Sequence, residues 1–207
     1  MSRSQGDHGR TAVLAAGALI AAAGLTVLAF RFADAPPTVL DSRVRRRIRE
    51  ATGPRGRRIA RLVSIPGYPA FYFPATALLI GWLRRRGATG SQALAIASIG
   101  GWATHRIVKL AIRRRRPRTM RGRGNEYEAF PSGHTTASTA IALTAAAVLL
   151  RQRLISREAA LACAVLVPTT VGASRVFADE HWTSDVIGGW IGGAGIAALA
   201  AVLDERA

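Results

Sequence analysis

The stretch Ser174-Arg175-Val176-Phe177-Ala178-Asp179-Glu180-His181-Trp182-Thr183-Ser184-Asp185 sets five ionisable side chains between two long apolar runs. Ionisable groups at the edge of a hydrocarbon layer are costly, so they mark a functional site by default. His181 and Asp185 are four positions apart. If a helix begins near Trp182, its first turn brings the Asp185 carboxylate to the His181 ring, where it accepts the Nδ1–H and leaves Nε2 free as a nucleophile. Arg175 supplies a fixed positive charge nearby. An imidazole oriented by a carboxylate and facing a guanidinium suits attack on a phosphoryl group, because the guanidinium forks onto phosphate oxygens. The competing reading of this segment alone is a charged interfacial loop that caps helices.

Outward from this stretch the chain is 207 residues, 49% of them hydrophobic, with the apolar residues gathered into long blocks. That patterning reads as a polytopic membrane protein of one domain. The formal charge of +17 does not make it a nucleic-acid binder, because the arginines cluster at the ends of apolar runs as membrane-flanking charges do. No nucleic-acid partner is expected. Cys163 is the sole cysteine, so an intrachain disulfide is excluded. No Cys/His or carboxylate group has metal-ligand spacing, so neither a metal nor a cofactor is expected.

Six apolar blocks predict an all-α bundle of six transmembrane helices. Thr11 to Phe30 is the first span; a cleaved signal peptide is its rival, since Ala33-Asp34-Ala35 follows, but the run is longer than an ordinary signal core. Between Pro36 and Arg61, Leu40, Val44 and Ile48 recur at helical spacing among arginines, and Ile59, Leu62 and Val63 follow the break at Gly53-Pro54-Arg55-Gly56. Two short amphipathic helices on the membrane surface fit this pattern. Gly67 to Leu83, Ala93 to Ile112, Pro131 to about Leu150, Ala159 to Gly172 and Ser184 to Leu203 are the remaining spans. Residues 1–66 form the first span and basic linker, 67–203 the catalytic membrane domain, and 204–207 a polar tail.

Lys109, the single lysine beside 28 arginines, ends the third span, with His105 one turn earlier. A compact ammonium suits a phosphate oxygen, whereas His105 reads as a histidine hydrogen-bonded within the bundle. Pro131-Ser132-Gly133-His134 opens the fourth span. Ser132 stands as an N-cap, the first-turn N–H groups form an anion site, and His134 stands at its mouth. The run Gly188, Gly189, Gly192, Gly193 and Gly195 in the last span allows close helix approach, within this bundle or, as the second reading, across a homodimer face.

Taken together, Lys109 with Arg116-Pro117 after six positions, then Pro131-Ser132-Gly133-His134, then Ser174-Arg175 with His181 five positions on and Asp185 after three more, resemble the type 2 phosphatidic acid phosphatase family. The resemblance covers roughly residues 67–203. It implies an all-helical bundle and metal-independent phosphoester hydrolysis at a cell-membrane surface, with a membrane lipid phosphate as substrate. It makes His181 the nucleophile that becomes phosphohistidine, Asp185 its orienting group, and His134 the acid that protonates the leaving alcohol and later activates water. Lys109, Arg116, Arg175, Ser132 and the Gly133 amide would hold the phosphoryl oxygens. Arg113, Arg114, Arg115 and Arg118 match no required position and read as headgroup or surface charges.

Vanadium haloperoxidases share these motifs but are soluble, which the apolar spans oppose. A membrane phosphotransferase using the same residues and a non-enzymatic membrane scaffold are the alternatives. The resemblance implies a site on the extracytoplasmic face, while the arginine count of the loops points to the cytoplasm. Phosphatidate, phosphatidylglycerol phosphate, polyprenyl diphosphates such as undecaprenyl diphosphate, and phosphorylated glycolipid precursors are all substrates of the right chemistry.

Overall fold

The computed structural model describes residues 2–117 and 126–205. The described chain is helical: α1 (Ser2–Phe32), α2 (Val39–Ala51), α3 (Pro54–Val63), a single 3-10 turn (Ile65–Gly67), α4 (Pro69–Arg85), α5 (Ser91–Ile112), α6 (Gly133–Arg151), α7 (Arg157–Phe177) and α8 (Thr183–Glu205). Local chemistry sets several of the boundaries. Thr38 and Asp41 form a reciprocal capping box at the start of α2, Pro54 occupies the first turn of α3, and Ser156 accepts the Ala159 N–H to begin α7.

Among the described residues four helices are long and apolar enough to cross a membrane: α1 over Gly9–Phe32, α6, α7 and α8. The two further spans expected at 67–83 and 93–112 are the helices α4 and α5. The first has 17 residues, and the second carries His105, Arg106 and Lys109, so neither reaches the same standard of length and apolarity.

α6 lies at the centre, packed against α5, α7 and α8, and α1 closes the bundle against α8. Glycines of α8 make the closest approach. A Cβ at Gly193 would stand 2.5 Å from the Cβ of Thr139 and 2.6 Å from the Thr136 carbonyl oxygen on α6. At Gly195 it would meet Ala21 of α1 at 2.8 Å. These glycines are used within the bundle, the first of the two readings given above.

The helices alternate in direction, which separates two ends. At one end Thr11 donates to Glu205 at 2.6 Å and Arg151 pairs with Asp204 at 2.6 Å, so the start of α1, the end of α6 and the end of α8 come together. At the other end lie the loops that follow α1, α5 and α7, together with α2 and α3. The chemistry-bearing residues gather there.

Candidate functional site

The segment after α7 folds back on the helix it leaves. The N–H groups of Glu180 and His181 both donate to the Arg175 carbonyl, at 3.1 and 3.3 Å. α8 then starts at Thr183, and its first turn presents Asp185 to His181 as the four-residue spacing predicts. His181 Nδ1 lies 3.4 Å from Asp185 Oδ2, and Arg116 Nη1 stands 3.2 Å from His181 Nε2. Since a guanidinium can only donate, Nε2 is the accepting nitrogen and Nδ1 carries the proton. His181 is 3% exposed. Burial, and then the positive charges of Arg116, Lys109, Arg175 and neighbouring His134, hold its pKa well below the ordinary histidine value, so the ring is neutral.

The remaining predicted residues converge on this ring. Arg116 also donates to the Glu180 carbonyl at 3.1 Å, and its own N–H donates to the Glu126 carbonyl at 2.7 Å. Burial draws the Arg116 guanidinium below its usual range. Arg175 donates to Ser64 Oγ at 2.7 Å and pairs with Glu180, and its Nε has no hydrogen-bond partner among the described residues. Lys109 is buried, within the electrostatic reach of Arg116, Glu128 and Asp185. His134 feels Arg175, Lys109 and Arg116, and its ring meets Tyr68 edge-on at 4.2 Å between centroids. The shielded Nε2 of His134 has no hydrogen-bond partner among the described residues.

Ser132 occupies the N-cap position of α6 but caps no backbone N–H with its side chain. Its Oγ instead accepts from Thr135 Oγ1 at 2.9 Å, while its N–H donates to the Asp185 carbonyl at 3.0 Å and ties the start of α6 to the start of α8. The first-turn amides of α6, Gly133 among them, are thus not consumed by the cap, which suits an anion site. His105 donates through Nδ1 to the Gly101 carbonyl at 2.9 Å and sits beneath Gly133, as a histidine held within the bundle.

One expectation is overturned. Arg114 is not a surface charge: its side chain is 0% exposed. Nη1 donates to Asp185 Oδ1 at 2.6 Å and to Ser184 Oγ at 2.8 Å, and Nη2 donates to Asp41 Oδ2 at 2.9 Å. The reason is that α2 docks on the start of α8 and covers it. Asp41 accepts from the Ser184 N–H at 2.9 Å and from Ser184 Oγ at 2.7 Å. Burial alone would raise the Asp41 carboxyl, but the hydrogen bonds of Ser184 and Thr38 and the charge of Arg114 outweigh it and hold the pKa down. A buried chain therefore runs His181, Asp185, Arg114, Asp41. One turn along α2, Arg45 forks onto Asp179 at 2.6 and 2.9 Å and covers the Trp182 ring. Arg113 and Arg115 both stand over Tyr127, and Arg118, Asn125 and their neighbours lie outside the described residues.

Between α2 and the segment after α5 opens a basin of about 880 Å³ whose walls include Arg45, Arg46, Arg49, Arg115, Arg116 and Trp182; His181 itself does not line it. Among the described residues no group of three or more His, Cys, Asp or Glu is arranged to hold a metal ion.

Residues 89–207 match the family model of the PAP2 superfamily. The chain belongs to the PAP2 superfamily. This PAP2 protein is also similar to a lipid A 1-phosphatase of Rhizobium johnstonii, with 34% identity over 135 residues, covering 56% of this chain and 52% of that protein. It thus spans about half the length of that curated relative. In fold it resembles a transmembrane PAP2-type phosphatidylglycerolphosphate phosphatase from Bacillus subtilis, with a TM-score of 0.76 over 91% of this chain and 96% of that one at 19% identity. With four apolar helices of spanning length among the described residues and this fold, the chain is a multi-pass membrane protein of the PAP2 superfamily.

The signals that found His181, Asp185 and His134 were short-range spacings. Asp41 had one local signal, the Thr38-x-x-Asp41 capping box, which explains the residue without reference to any site. Arg114 had none that separated it from the arginines on either side.

Proposed function

We propose that this PAP2 protein hydrolyses the terminal phosphate of a membrane lipid phosphate or diphosphate through a phosphohistidine on His181. The observation that carries the reading is the buried His181 ring, held between a carboxylate at Nδ1 and a guanidinium at Nε2. The Nε2 lone pair attacks phosphorus as the ester P–O bond breaks, and His134 gives the departing alkoxide its proton. Water then attacks phosphorus while His134 takes its proton, the P–N bond breaks to return His181, and inorganic phosphate leaves. Lys109, Arg116, Arg175 and the first-turn amides at Ser132 and Gly133 stabilise charge on the equatorial oxygens. Asp185 stabilises the imidazole as it bonds phosphorus.

The reading includes a six-span bundle in which α4 and α5 cross the membrane beside the four apolar helices, with α2 and α3 lying at the interface over the site. It places 67–203 as the catalytic domain in the cell membrane and the site on the extracytoplasmic face. The arginine count of the loops is the opposing argument, and it weakens because Arg45, Arg114 and Arg116 are engaged by the protein itself.

The test is phosphate release by the purified protein from phosphatidate, phosphatidylglycerol phosphate, a polyprenyl diphosphate and a phosphorylated glycolipid, with excess chelator and with vanadate. Release that survives chelation and stops with vanadate supports the reading. Transfer of the phosphoryl group to an added alcohol in preference to water would favour the phosphotransferase, and no turnover of any kind the scaffold.

A further inference from the structure

Five arginines face the basin between α2 and the segment after α5: Arg45, Arg46 and Arg49 from the helix, Arg115 and Arg116 from the segment. The carboxylates set against them are Asp34 and Glu50 in the same walls and the buried Asp179, which Arg45 holds at 2.6 Å and Arg49 approaches to 4.0 Å. Two positive charges stay unmatched among these groups. Arg115 donates to Tyr127 and Arg116 to His181, whereas Arg46 has no hydrogen-bond or ion-pair partner among the described residues. The two walls thus carry like charge towards each other across an open space of about 880 Å³, and an anion seated between them would turn that repulsion into a bridge.

The place of the basin decides which anion fits it. α1 is a helix of spanning length, and only 11% of its most apolar stretch is buried, so most of it faces lipid. The basin wall Asp34 to Pro37 follows directly on the end of that span, which sets the basin at the level of the headgroups. Phe30 in the last turn of α1 and Val39 and Leu40 in the first turn of α2 are left exposed on either side of this connection. A second hollow of about 280 Å³ continues from the basin over α2; it shares Pro37, Ser42 and Arg46 with the basin and adds Val39 and Arg43. A free phosphate ion gains nothing from an apolar rim. A glycerophospholipid places its phosphate among the arginines and the start of its acyl chains over Val39 and Leu40.

We propose that this basin is a binding site, separate from the His181 centre, for the phosphodiester headgroup of an anionic phospholipid of the surrounding membrane. The headgroup bridges α2 to the segment after α5. It thereby fastens the helix whose Asp41 completes the buried chain through Arg114 to Asp185. The assignment is independent of the reaction on His181.

The test uses the full chain in phosphatidylcholine nanodiscs holding a low mole fraction of phosphatidylglycerol with a photoreactive group on its headgroup. Adducts should map to residues 34–50 and 115–116, and unlabelled phosphatidylglycerol should displace the probe while extra phosphatidylcholine or inorganic phosphate does not. Arg46→Gln/Arg49→Gln removes two basin charges at exposed positions, and Arg84→Gln/Arg85→Gln removes two exposed charges at the far end of α4, away from the basin. An arginine near a membrane surface contributes enough that losing two should raise the phosphatidylglycerol needed for half displacement about tenfold or more in the first variant, and less than about twofold in the second.

An equal change in the two variants would mean a general attraction of a basic protein for an anionic bilayer, and would overturn the proposal. So would adducts confined to other segments, displacement by phosphatidylcholine as readily as by phosphatidylglycerol, or displacement by inorganic phosphate, which would make the basin a site for the free ion. The unfolding midpoint in pure phosphatidylcholine shows whether the double variant is folded. Arg46→Gln alone, at a side chain with no partner to lose, should shift the half displacement in the same direction, and no shift would count against the site.

Discussion

Arg114 is the position at which a single substitution should do most damage. Its side chain and those of Asp41 and Asp185 are all 0% exposed, so Arg114→Ala leaves two buried carboxylates facing each other with no cation between them. Removing one partner of a buried pair costs about 3–5 kcal/mol, because the charge left behind stays desolvated. Against a total stability of about 5–15 kcal/mol, that loss is large but not enough by itself to abolish folding. Arg114→Lys should recover only part of it, since one ammonium cannot fork onto Asp185, Ser184 and Asp41 together. Asp41→Asn is the finer probe. The amide keeps an acceptor for Ser184 but loses the charge on Arg114, and a hydrogen bond to a charged group is worth about 1.5–3 kcal/mol. Thermal unfolding of the purified protein and turnover of an aryl phosphate are the two assays. Both variants should lower the unfolding midpoint, and Asp41→Asn should lower kcat with little change in KM, because Asp41 acts on the nucleophile through Arg114 and Asp185 and touches no substrate. An Arg114→Ala protein as stable and as active as the unsubstituted one would refute the account of this network.

Two further predictions follow from the site and its setting. The depressed pKa of His181 keeps it neutral as pH falls through the ordinary histidine value of about 6.5, so the acid limb of kcat/KM assigned to its protonation should lie well below that pH; in His134→Ala with an aryl phosphate, a limb at or above it would contradict the burial argument. A cysteine at Asn125 in a Cys163→Ala background should react with a membrane-impermeant thiol reagent on intact cells, whereas labelling that requires permeabilisation would place the site in the cytoplasm.

The parts of the molecule that were legible in the sequence are those fixed within one or two helical turns. His181 and Asp185 meet because one helix starts between them, and the Pro131–His134 segment opens α6 as its composition predicts. The glycines of α8 announced close packing. What could not be read depends on which helix covers which. Ser184 and Asp41 are 143 positions apart, and only the docking of α2 on α8 turns an arginine from a basic run into the buried partner of two carboxylates. Ser132 shows the same limit on a smaller scale. It takes the N-cap position, yet its hydroxyl is engaged by Thr135 one turn into the helix, an arrangement that the identity of the residue does not decide.

The most direct test of the central claim is to trap the covalent intermediate. Rapid quench with a radiolabelled lipid phosphate should give an acid-labile phosphoenzyme in the unsubstituted protein, mapped to His181 and absent from His181→Ala with every substrate. His134→Ala, which lacks only the proton donor, should form it far better from an aryl phosphate, whose leaving group departs readily as an anion, than from a lipid alkyl phosphate. A phosphoenzyme in His181→Ala, or equal impairment of His134→Ala on the two substrates, would contradict the assignment of the two histidines.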